Sequence, residues 1–213
     1  LRDDPELTVR DYCRLMMAIS DNVATDALIG LLGLEAINAT MQSLGYPNLH
    51  TGATLTRFHY AMAGMADAPG SPENDQRMME RIQAYGIDRD CASFADDPAN
   101  NLAAPGEMGR LLGRLCRGEI IDAEASVGMV EMLGLAANRD MIPRYLDPGV
   151  DIAHKFGSSG RIKADVGIVY LPGGPLVVSA FALAAAAADG AAAIAELTRL
   201  AVGALAPASV KEG

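Results

Sequence analysis

The residue periodicity of this sequence changes from helical to strand type close to residue 150, and that change limits the folds that the chain can adopt. Before it, apolar residues recur every three or four positions, which is the spacing of helices that cover a core. After it come three runs of strand type: "VDIAHKFG" (150–157), "DVGIVYL" (165–171) and "PLVVSAFAL" (175–183). Short turns separate these runs, so they predict an antiparallel sheet. An Ala-rich helix over 187–204 follows, and the predicted fold class is α+β, an antiparallel sheet covered by helices.

Cap residues predict the boundaries of the first helices. Thr8-Val-Arg-Asp11 is a capping-box-like start, with Asp where Glu is usual, and the helix that it begins runs into Ser20. Glycines in the left-handed conformation commonly end helices, so Gly33 and Gly45 are predicted to close the next two. The predicted helices cover 8–19, 23–32, 34–44, 57–65, 75–85, 105–117 and 123–133, and the predicted loops cover 68–75 and 95–101.

The charge and composition exclude several classes of partner. The chain has 213 residues, half of them hydrophobic, with a formal charge of −10 and a pI near 4.7. It carries no basic stripe, so neither nucleic acid nor an anionic membrane surface is a predicted partner. The longest apolar run, 176–188, is too short for a membrane span. Three cysteines lack metal-ligand spacing and no phosphate-binding loop is evident, so no cofactor is predicted.

Two polar motifs stand out against the apolar background. The first, "SDN" (20–22), lies on a predicted turn between helices, and the second, "HKFG" (154–157), lies on the first late strand. Each has an ordinary local interpretation: Ser20 and Asn22 as caps of the following helix, and Lys155 as an edge-strand lysine. Lysine occurs at only three positions of the sequence, which favours a functional reason for its presence in the second motif.

The two motifs and their flanks resemble the class A β-lactamase and penicillin-binding-protein superfamily. The signature of that superfamily is Ser-x-x-Lys, then Ser-Asp-Asn, then Lys-Thr-Gly. The segment 20–45 is similar to the family's helix pair after Ser-Asp-Asn, and 101–122 is similar to the helix after its omega loop. The segment 139–181 is similar to the family's last three strands and the chain that leads into them. The resemblance implies a β-lactamase/transpeptidase-like fold with a helical lobe.

The resemblance also implies a role for each residue of the first motif and for the lysine of the second. Ser20 would pass a proton to the leaving nitrogen of the substrate, and Lys155 would hold Ser20 and attract the substrate carboxylate. Asn22 would bind the acyl-amide side chain of the substrate, and Asp21 would point inward and fix the turn through hydrogen bonds. The implied substrate is a small amide, β-lactam or ester.

The residues after Lys155 would line the implied substrate pocket. Ser158 would supply a backbone N–H group to the oxyanion hole, and Gly157 would allow the substrate to approach closely. Phe156 stands where the family has a Thr or Ser whose hydroxyl binds the substrate carboxylate. A phenyl ring removes that hydrogen bond and narrows the pocket, so ordinary penicillins are predicted to be poor substrates.

The first motif of the family is absent, because no Ser or Thr precedes any lysine by three positions. The nucleophilic serine is therefore expected upstream of Leu1, in an N-terminal segment of about 50 residues or more that also covers the apolar edge of 175–183. On this expectation 1–213 is a single domain that lacks its N-terminal strands and nucleophile helix. Its predicted parts are a helical lobe (1–149) and the sheet strands with the C-terminal helix (150–213). The absent segment is the one protein partner predicted.

The predicted omega loop departs from the family as well. Nothing in 80–100 matches Glu-x-x-Leu-Asn, whose Glu activates the deacylating water of class A β-lactamases. An acyl-enzyme would then accumulate, which favours an esterase, amidase, peptidase or biosynthetic enzyme over a fast β-lactamase. A non-catalytic binding or sensor protein on the same fold is the alternative. Members of the superfamily are commonly exported, whereas unpaired cysteines are more typical of a reducing compartment, so both locations stay open.

Overall fold

Helices and strands occupy the parts of the chain that periodicity predicts. The computed structural model describes residues 6–160, 162–184 and 187–211, and over these ranges the chain forms eight α-helices and five strands. The helices are α1 (Val9–Ala18), α2 (Asn22–Leu32), α3 (Leu34–Ser43), α4 (Leu55–Met62), α5 (Pro72–Tyr85), α6 (Pro105–Cys116), α7 (Ala123–Leu133) and α8 (Ala187–Leu205). The strands are β1 (Leu49–His50), β2 (Leu102–Ala103), β3 (Ile152–Ser159), β4 (Ile162–Leu171) and β5 (Gly174–Leu183). The predicted α+β class is confirmed.

The chain divides into two compact units. Among the described residues, one unit combines 6–13 with 21–104, and the other combines 14–20 with 105–211. This division differs from the predicted parts 1–149 and 150–213. The reason is that α6 and α7 pack against the strands of the sheet and therefore belong with them.

The starts and ends of the first helices follow their predicted caps. At the start of α1, the Thr8 hydroxyl accepts from the N–H of Asp11 (3.2 Å), and the Asp11 carboxylate accepts from the N–H of Thr8 (3.0 Å). This is a reciprocal capping box. Gly33 and Gly45 end α2 and α3 with φ angles of 80° and 88°, which glycine adopts without strain. No single helix of the described ranges could span a membrane, and only α2 and α3 together, bent by 80°, have the length and composition to do so.

In the first unit, one carboxylate joins two helices. Asp26 of α2 accepts from the backbone N–H groups of Leu55 and Thr56, at 2.6 and 2.8 Å. These are among the donors that the first turn of a helix leaves without partners, so Asp26 both caps α4 and links it to α2. The short strands β1 and β2 pair antiparallel in the same unit.

Three features of this unit differ from the sequence-based expectations. Helix α4 covers Leu55–Met62, whereas the predicted helix covers 57–65. The predicted loop 68–75 is too long, because Ser71 caps α5 through the N–H of Asn74 (3.1 Å) and Pro72 begins the helix. Proline suits a first turn because its missing N–H would have no partner there. The strands β1 and β2 were not predicted, since two-residue strands carry no periodicity.

The second unit contains the predicted antiparallel sheet. Its strand order is β3-β4-β5, and the register pairs Lys155 with Val166 and Phe156 with Asp165. Because side chains alternate between the faces of a strand, Phe156 and Asp165 share one face, and Lys155 and Val166 share the other. The turn between β4 and β5 is the predicted Gly- and Pro-rich hairpin at Pro172–Gly173.

Helices cover both faces of this sheet. Helix α8 packs on β4 and β5, and its face holds a core cluster that includes Ile142, Val169 and Ile194. Helices α6 and α7 pack on the opposite face, where a second cluster includes Leu112 and Val166. The sheet is thus the middle layer of a three-layer unit, and the two faces of β3 meet different surroundings.

Candidate active site

The end of α1 brings Ser20 to the second unit. Met17 packs against the cluster of α6 and α7, and the backbone carbonyl of Ala18 accepts from the N–H of Ala137 (2.9 Å). Past this anchor the chain turns sharply, because Ser20 has a φ angle of 57°. A non-glycine residue rarely adopts this left-handed conformation, which occurs preferentially at functional sites. The Ser20 side chain is half-buried.

Ser20 and Lys155 meet although they are far apart in the chain. The Lys155 ammonium donates a hydrogen bond to the Ser20 hydroxyl at 2.8 Å and another to the backbone carbonyl of Phe156 at 2.5 Å. Lys155 comes from β3 and Ser20 from the turn after α1, so the contact depends on the tertiary fold. A serine and a lysine at this distance can exchange a proton.

Burial brings the pKa of Lys155 close to neutral pH. Loss of solvent around its ammonium lowers the pKa of Lys155 from 10.5 to about 8, and the negative charge of Asp165 opposes this by raising it. At neutral pH the lysine is therefore mainly protonated, yet it can release a proton at a far lower cost than an exposed lysine. That property suits a group that both attracts an anion and takes part in proton transfer.

Asp21 and Asn22 belong to the first unit. Asp21 caps α2, since its carboxylate accepts from the N–H of Ala24 at 2.7 Å. Asn22 is the first residue of α2 and is exposed. The side chain that caps α2 is therefore that of Asp21, and not that of Ser20 or Asn22 as the local interpretation had it. Ser20 lies outside the helix.

Phe156 lies on the sheet face opposite to Lys155 and is half-buried. It packs against the cluster that includes Ile142 and Val169, and the ammonium of Lys155 lies 4.4 Å from the centre of its ring. A cation this close to an aromatic face is attracted by the ring quadrupole. The phenyl ring therefore has a packing contact and a cation–π contact, and the second of these is not available to a Thr or Ser side chain.

The last two residues of the second motif occupy the end of β3. A Cβ atom at Gly157 would lie 3.9 Å from the Cβ of Ala164, which is an ordinary contact, so the sheet itself tolerates a side chain there. Ser158 is exposed, and its hydroxyl is hydrogen-bonded to the ammonium of Lys163 on β4. The sequence did not predict this second Ser–Lys contact.

A buried pair beside Lys155 was missed as well. His154 and Asp165 are 1% and 0% exposed, and the His154 Nδ1 lies 2.8 Å from an Asp165 carboxylate oxygen. The sequence gives one signal of this pair, which is the charged residue Asp165 within the apolar run of β4. Alternation alone does not reveal that His154 on β3 is its partner. In the described part of the chain, no cluster of three or more His, Cys, Asp or Glu side chains could hold a metal ion.

The comparison with known sequences identifies the family to which this chain belongs. The profile of the Beta-lactamase enzyme family matches residues 1–205. The chain belongs to this family, as the two motifs predicted. No curated protein matches the sequence.

Solved structures show the same likeness in the fold of this chain. The β-lactamase from Sphaerobacter thermophilus DSM 20745 superposes with a TM-score of 0.70 and 28% identity, over 96% of this chain and 65% of that one. An ancestral class A β-lactamase of Gram-negative bacteria has a TM-score of 0.67 and 23% identity, over 93% of this chain and 66% of that one. PBP-A has a TM-score of 0.65 and 21% identity, over 96% of this chain and 64% of that one. The chain thus spans just under two thirds of the length of each of these proteins.

Proposed function

We propose that the protein is a serine hydrolase that acts through an acyl-enzyme on a small amide, β-lactam or ester. The observation that carries the proposal is the 2.8 Å hydrogen bond from Lys155 to Ser20. Its support is the lowered pKa of Lys155, which makes this pair a proton relay close to neutral pH. Membership of the Beta-lactamase enzyme family supports the same reaction class.

In the proposed reaction, a nucleophilic serine attacks the substrate carbonyl and the bond from that carbon to the leaving nitrogen or oxygen breaks. Ser20 gives its hydroxyl proton to the leaving atom, and Lys155 returns a proton to Ser20. The nucleophile loses its own proton to a base near it, and water later releases the acyl group. Lys155 is protonated before the reaction starts and attracts the substrate carboxylate with that charge, and the proton that the base has taken up restores this charge before the next cycle.

The nucleophilic serine is proposed to come from a segment outside these 213 residues. The open edge of β5 supports this, because in the described residues β5 pairs with β4 alone while Phe181 and Leu183 of β5 are exposed. A long apolar edge of this kind usually receives another strand. A further strand and a helix carrying the serine would complete the sheet and the site together. The length of the similar β-lactamases leaves room for such a segment.

The proposed pocket differs from that of a penicillin-hydrolysing enzyme at Phe156. No hydroxyl at this position can bind a substrate carboxylate, so Lys155 is proposed to be the main group that attracts it. Roles for Asn22 with the acyl-amide group, Gly157 with close approach and the Ser158 N–H with the oxyanion remain predictions of the family resemblance. A variant of PBP-A has been solved as an acyl-enzyme with penicillin G, and we propose that the same kind of adduct forms here and is released slowly.

A second candidate is a binding or sensor protein that forms no acyl-enzyme. Phe156 favours it, because the ring occupies the position of a substrate-binding hydroxyl. Both candidates predict affinity for small carboxylates, and only the first predicts covalent chemistry.

The test is covalent labelling of the full-length protein. We expect intact-mass spectrometry to find an acyl adduct after exposure to penicillin G or p-nitrophenyl acetate, and we expect Lys155→Ala to reduce its rate by about 100-fold or more. Lys211→Ala is the matched control, since Lys211 is an exposed lysine that donates to the Arg144 carbonyl far from Ser20 in the sequence. Equal labelling of the two variants, or no adduct with either reagent, would count against the hydrolase.

A further inference from the structure

A second contact between a serine and a lysine lies at the far end of β3. Ser158 pairs with Lys163 of β4 in the register, and the Lys163 ammonium donates a hydrogen bond to the Ser158 hydroxyl. Ser158 is exposed and Lys163 is half-buried. Two of the three lysines of the sequence thus lie on one hairpin, and each donates to a serine hydroxyl. The second pair has no part in the proposed proton transfer between Lys155 and Ser20.

The stem of Lys163 is held in place by β5 and α8. Lys163 pairs with Ala182 of β5 in the register. A Cβ atom at Gly190 of α8 would lie 3.2 Å from the Lys163 Cγ and 3.4 Å from its Cβ. Glycine at position 190 therefore leaves the space that the lysine stem occupies. Packing along the stem leaves the charged end free to reach Ser158.

The ammonium of Lys163 has no carboxylate partner among the described residues. The ion pairs found there join other groups, and Asp189, which precedes Gly190 on α8, is exposed and forms no pair with this lysine. A lysine ammonium has three N–H donors, and within the same residues Ser158 is the acceptor of one of them. The other two donors are available to an anion.

The proposed reaction decides which part of a substrate would reach Lys163. Ser20 gives its proton to the leaving atom and is bonded to Lys155, so the leaving group lies at the Lys155 end of β3. Ser158, the proposed donor to the carbonyl oxygen, is three residues further along, which is about 10 Å in an extended strand. In the described residues β3 pairs with β4 alone, so its outer edge is open. A substrate along this edge directs its acyl group past Ser158, toward Lys163.

We propose that Lys163, held by Ser158, is a specificity-determining residue that binds an anionic group on the acyl part of the substrate. The substrate class is then an amide or ester whose acyl group ends in a carboxylate, which rests on the proposed function and narrows it. The ammonium would donate to this carboxylate and keep its bond to the Ser158 hydroxyl. Hydrogen bonds between two charged groups are among the stronger ones in proteins. Lys155 acts at the other end of the substrate.

The first measurement compares two esters that differ in the charge of the acyl group. Mono-p-nitrophenyl adipate ends in a carboxylate, and p-nitrophenyl hexanoate, with the same number of acyl carbons, ends in a methyl group. Intact-mass spectrometry of the full-length protein gives the rate of acylation by each ester, and the ratio of the two rates is compared between variants. Lys163→Gln removes the charge and keeps most of the stem, Lys163→Arg keeps the charge, and Lys211→Gln is the matched control at an exposed lysine.

We expect the wild type to prefer the adipate ester, and we expect this ratio to fall about five- to tenfold in Lys163→Gln. Lys163→Arg and Lys211→Gln should keep most of the preference, because both retain a positive charge beside Ser158. The ratio is taken within each variant, so a general loss of activity cancels. A ratio in Lys163→Gln equal to that in Lys211→Gln would overturn the proposal.

The second measurement needs no acylation and so separates this proposal from the proposed function. The full-length protein is labelled with ¹³C at the lysine ε-carbon, and the signals of Lys163 and Lys211 are assigned by their loss in Lys163→Arg and Lys211→Arg. Monomethyl adipate, an anionic and unreactive ester, is titrated against neutral methyl hexanoate at equal ionic strength.

We expect monomethyl adipate alone to shift the Lys163 signal in a saturable way, and we expect the Lys211 signal to stay in place. No saturable shift at Lys163 would overturn the proposal even if the protein forms an acyl-enzyme. A saturable shift in a protein that forms no adduct would support the anion site and count against the hydrolase alone.

Discussion

The two faces of β3 show how neighbouring residues of one strand come under different constraints. Lys155 and Gly157 face the side of α6 and α7, where Lys155 contacts the Ser20 hydroxyl and a side chain at 157 would meet only an ordinary contact. His154 and Phe156 face the side of α8, where the first is fully buried and the second packs against a core cluster. A four-residue motif that appears continuous in the sequence is therefore divided between a reactive face and a packed face.

Gly157 on β3 and Gly167 on β4 differ in the space around them, as the two faces of β3 differ in their surroundings. Gly157 has room for a methyl group, so the fold gives no reason for glycine at that position, and access for a substrate remains the proposed reason. Gly167 has no such room, because His154 and the Ala153 carbonyl fill the space. One glycine is explained by packing, and the other is left for function to explain.

The largest expected effect is the loss of stability in Gly167→Ala. The new methyl group would overlap backbone atoms that cannot move without separating β3 from β4, so we expect a loss of about 3 kcal/mol in the free energy of unfolding. Gly157→Ala is the matched variant on the partner strand, and its stability should change by less than about 0.5 kcal/mol. Urea denaturation of both proteins measures the difference. Equal destabilisation of the two would show that the faces of the hairpin are not distinct.

A smaller effect is expected in the dependence of stability on pH. The pKa of Lys155 is about 8 in the folded chain and 10.5 when exposed, so between these values the unfolded chain binds more protons and stability rises with pH. The stability that goes with a neutral Lys155 is fully present above pH 10.5 and is lost as the pH falls through 8. We expect a gain of about 1–2 kcal/mol between pH 8 and 10, reduced from the full value because part of the side chain meets solvent.

The measurement compares wild type with Lys155→Met by urea denaturation at pH 8, 9 and 10. Tyrosines titrate in the same range in both proteins, so the difference between the two curves isolates the lysine. The methionine variant should be relatively more stable at pH 8 than at pH 10. Parallel curves would mean that Lys155 is exposed and that the reactive face does not lower its pKa.

The smallest expected effect concerns Phe156, which packs on the face of α8 and whose ring also contacts the ammonium of Lys155. Phe156→Thr removes packing from the face of α8 and should cost about 1 kcal/mol of stability, since the ring is only half-buried. The new hydroxyl could donate to a substrate carboxylate, and we expect the rate of labelling by penicillin G to rise by about tenfold. Phe156→Val is the control, because it removes the ring without adding a hydroxyl. A similar rise in Phe156→Val would attribute the effect to space alone.

Local patterns predicted most of the elements of this fold. The Thr8 capping box, the glycines at 33 and 45 and the alternation of the late strands lead to helices and strands close to those observed, because each depends on residues within a few positions. The start of α5 at Pro72 was missed, since a segment rich in Pro, Gly and Ser also suits a loop. The division into two units could not be predicted, because the packing of α6 and α7 on the sheet leaves no local mark.

The sequence by itself determined the element order, the family and the two motifs, which all depend on residue identity and short-range spacing. Only the tertiary structure decided that Ser20 turns with a left-handed backbone into the hydrogen bond of Lys155, and that burial lowers the pKa of this lysine. It also decided that Asp165 lies behind the same lysine with His154. Charge and proton affinity depend on solvent exclusion and on distances across the sheet, and these exist only after distant segments have packed together.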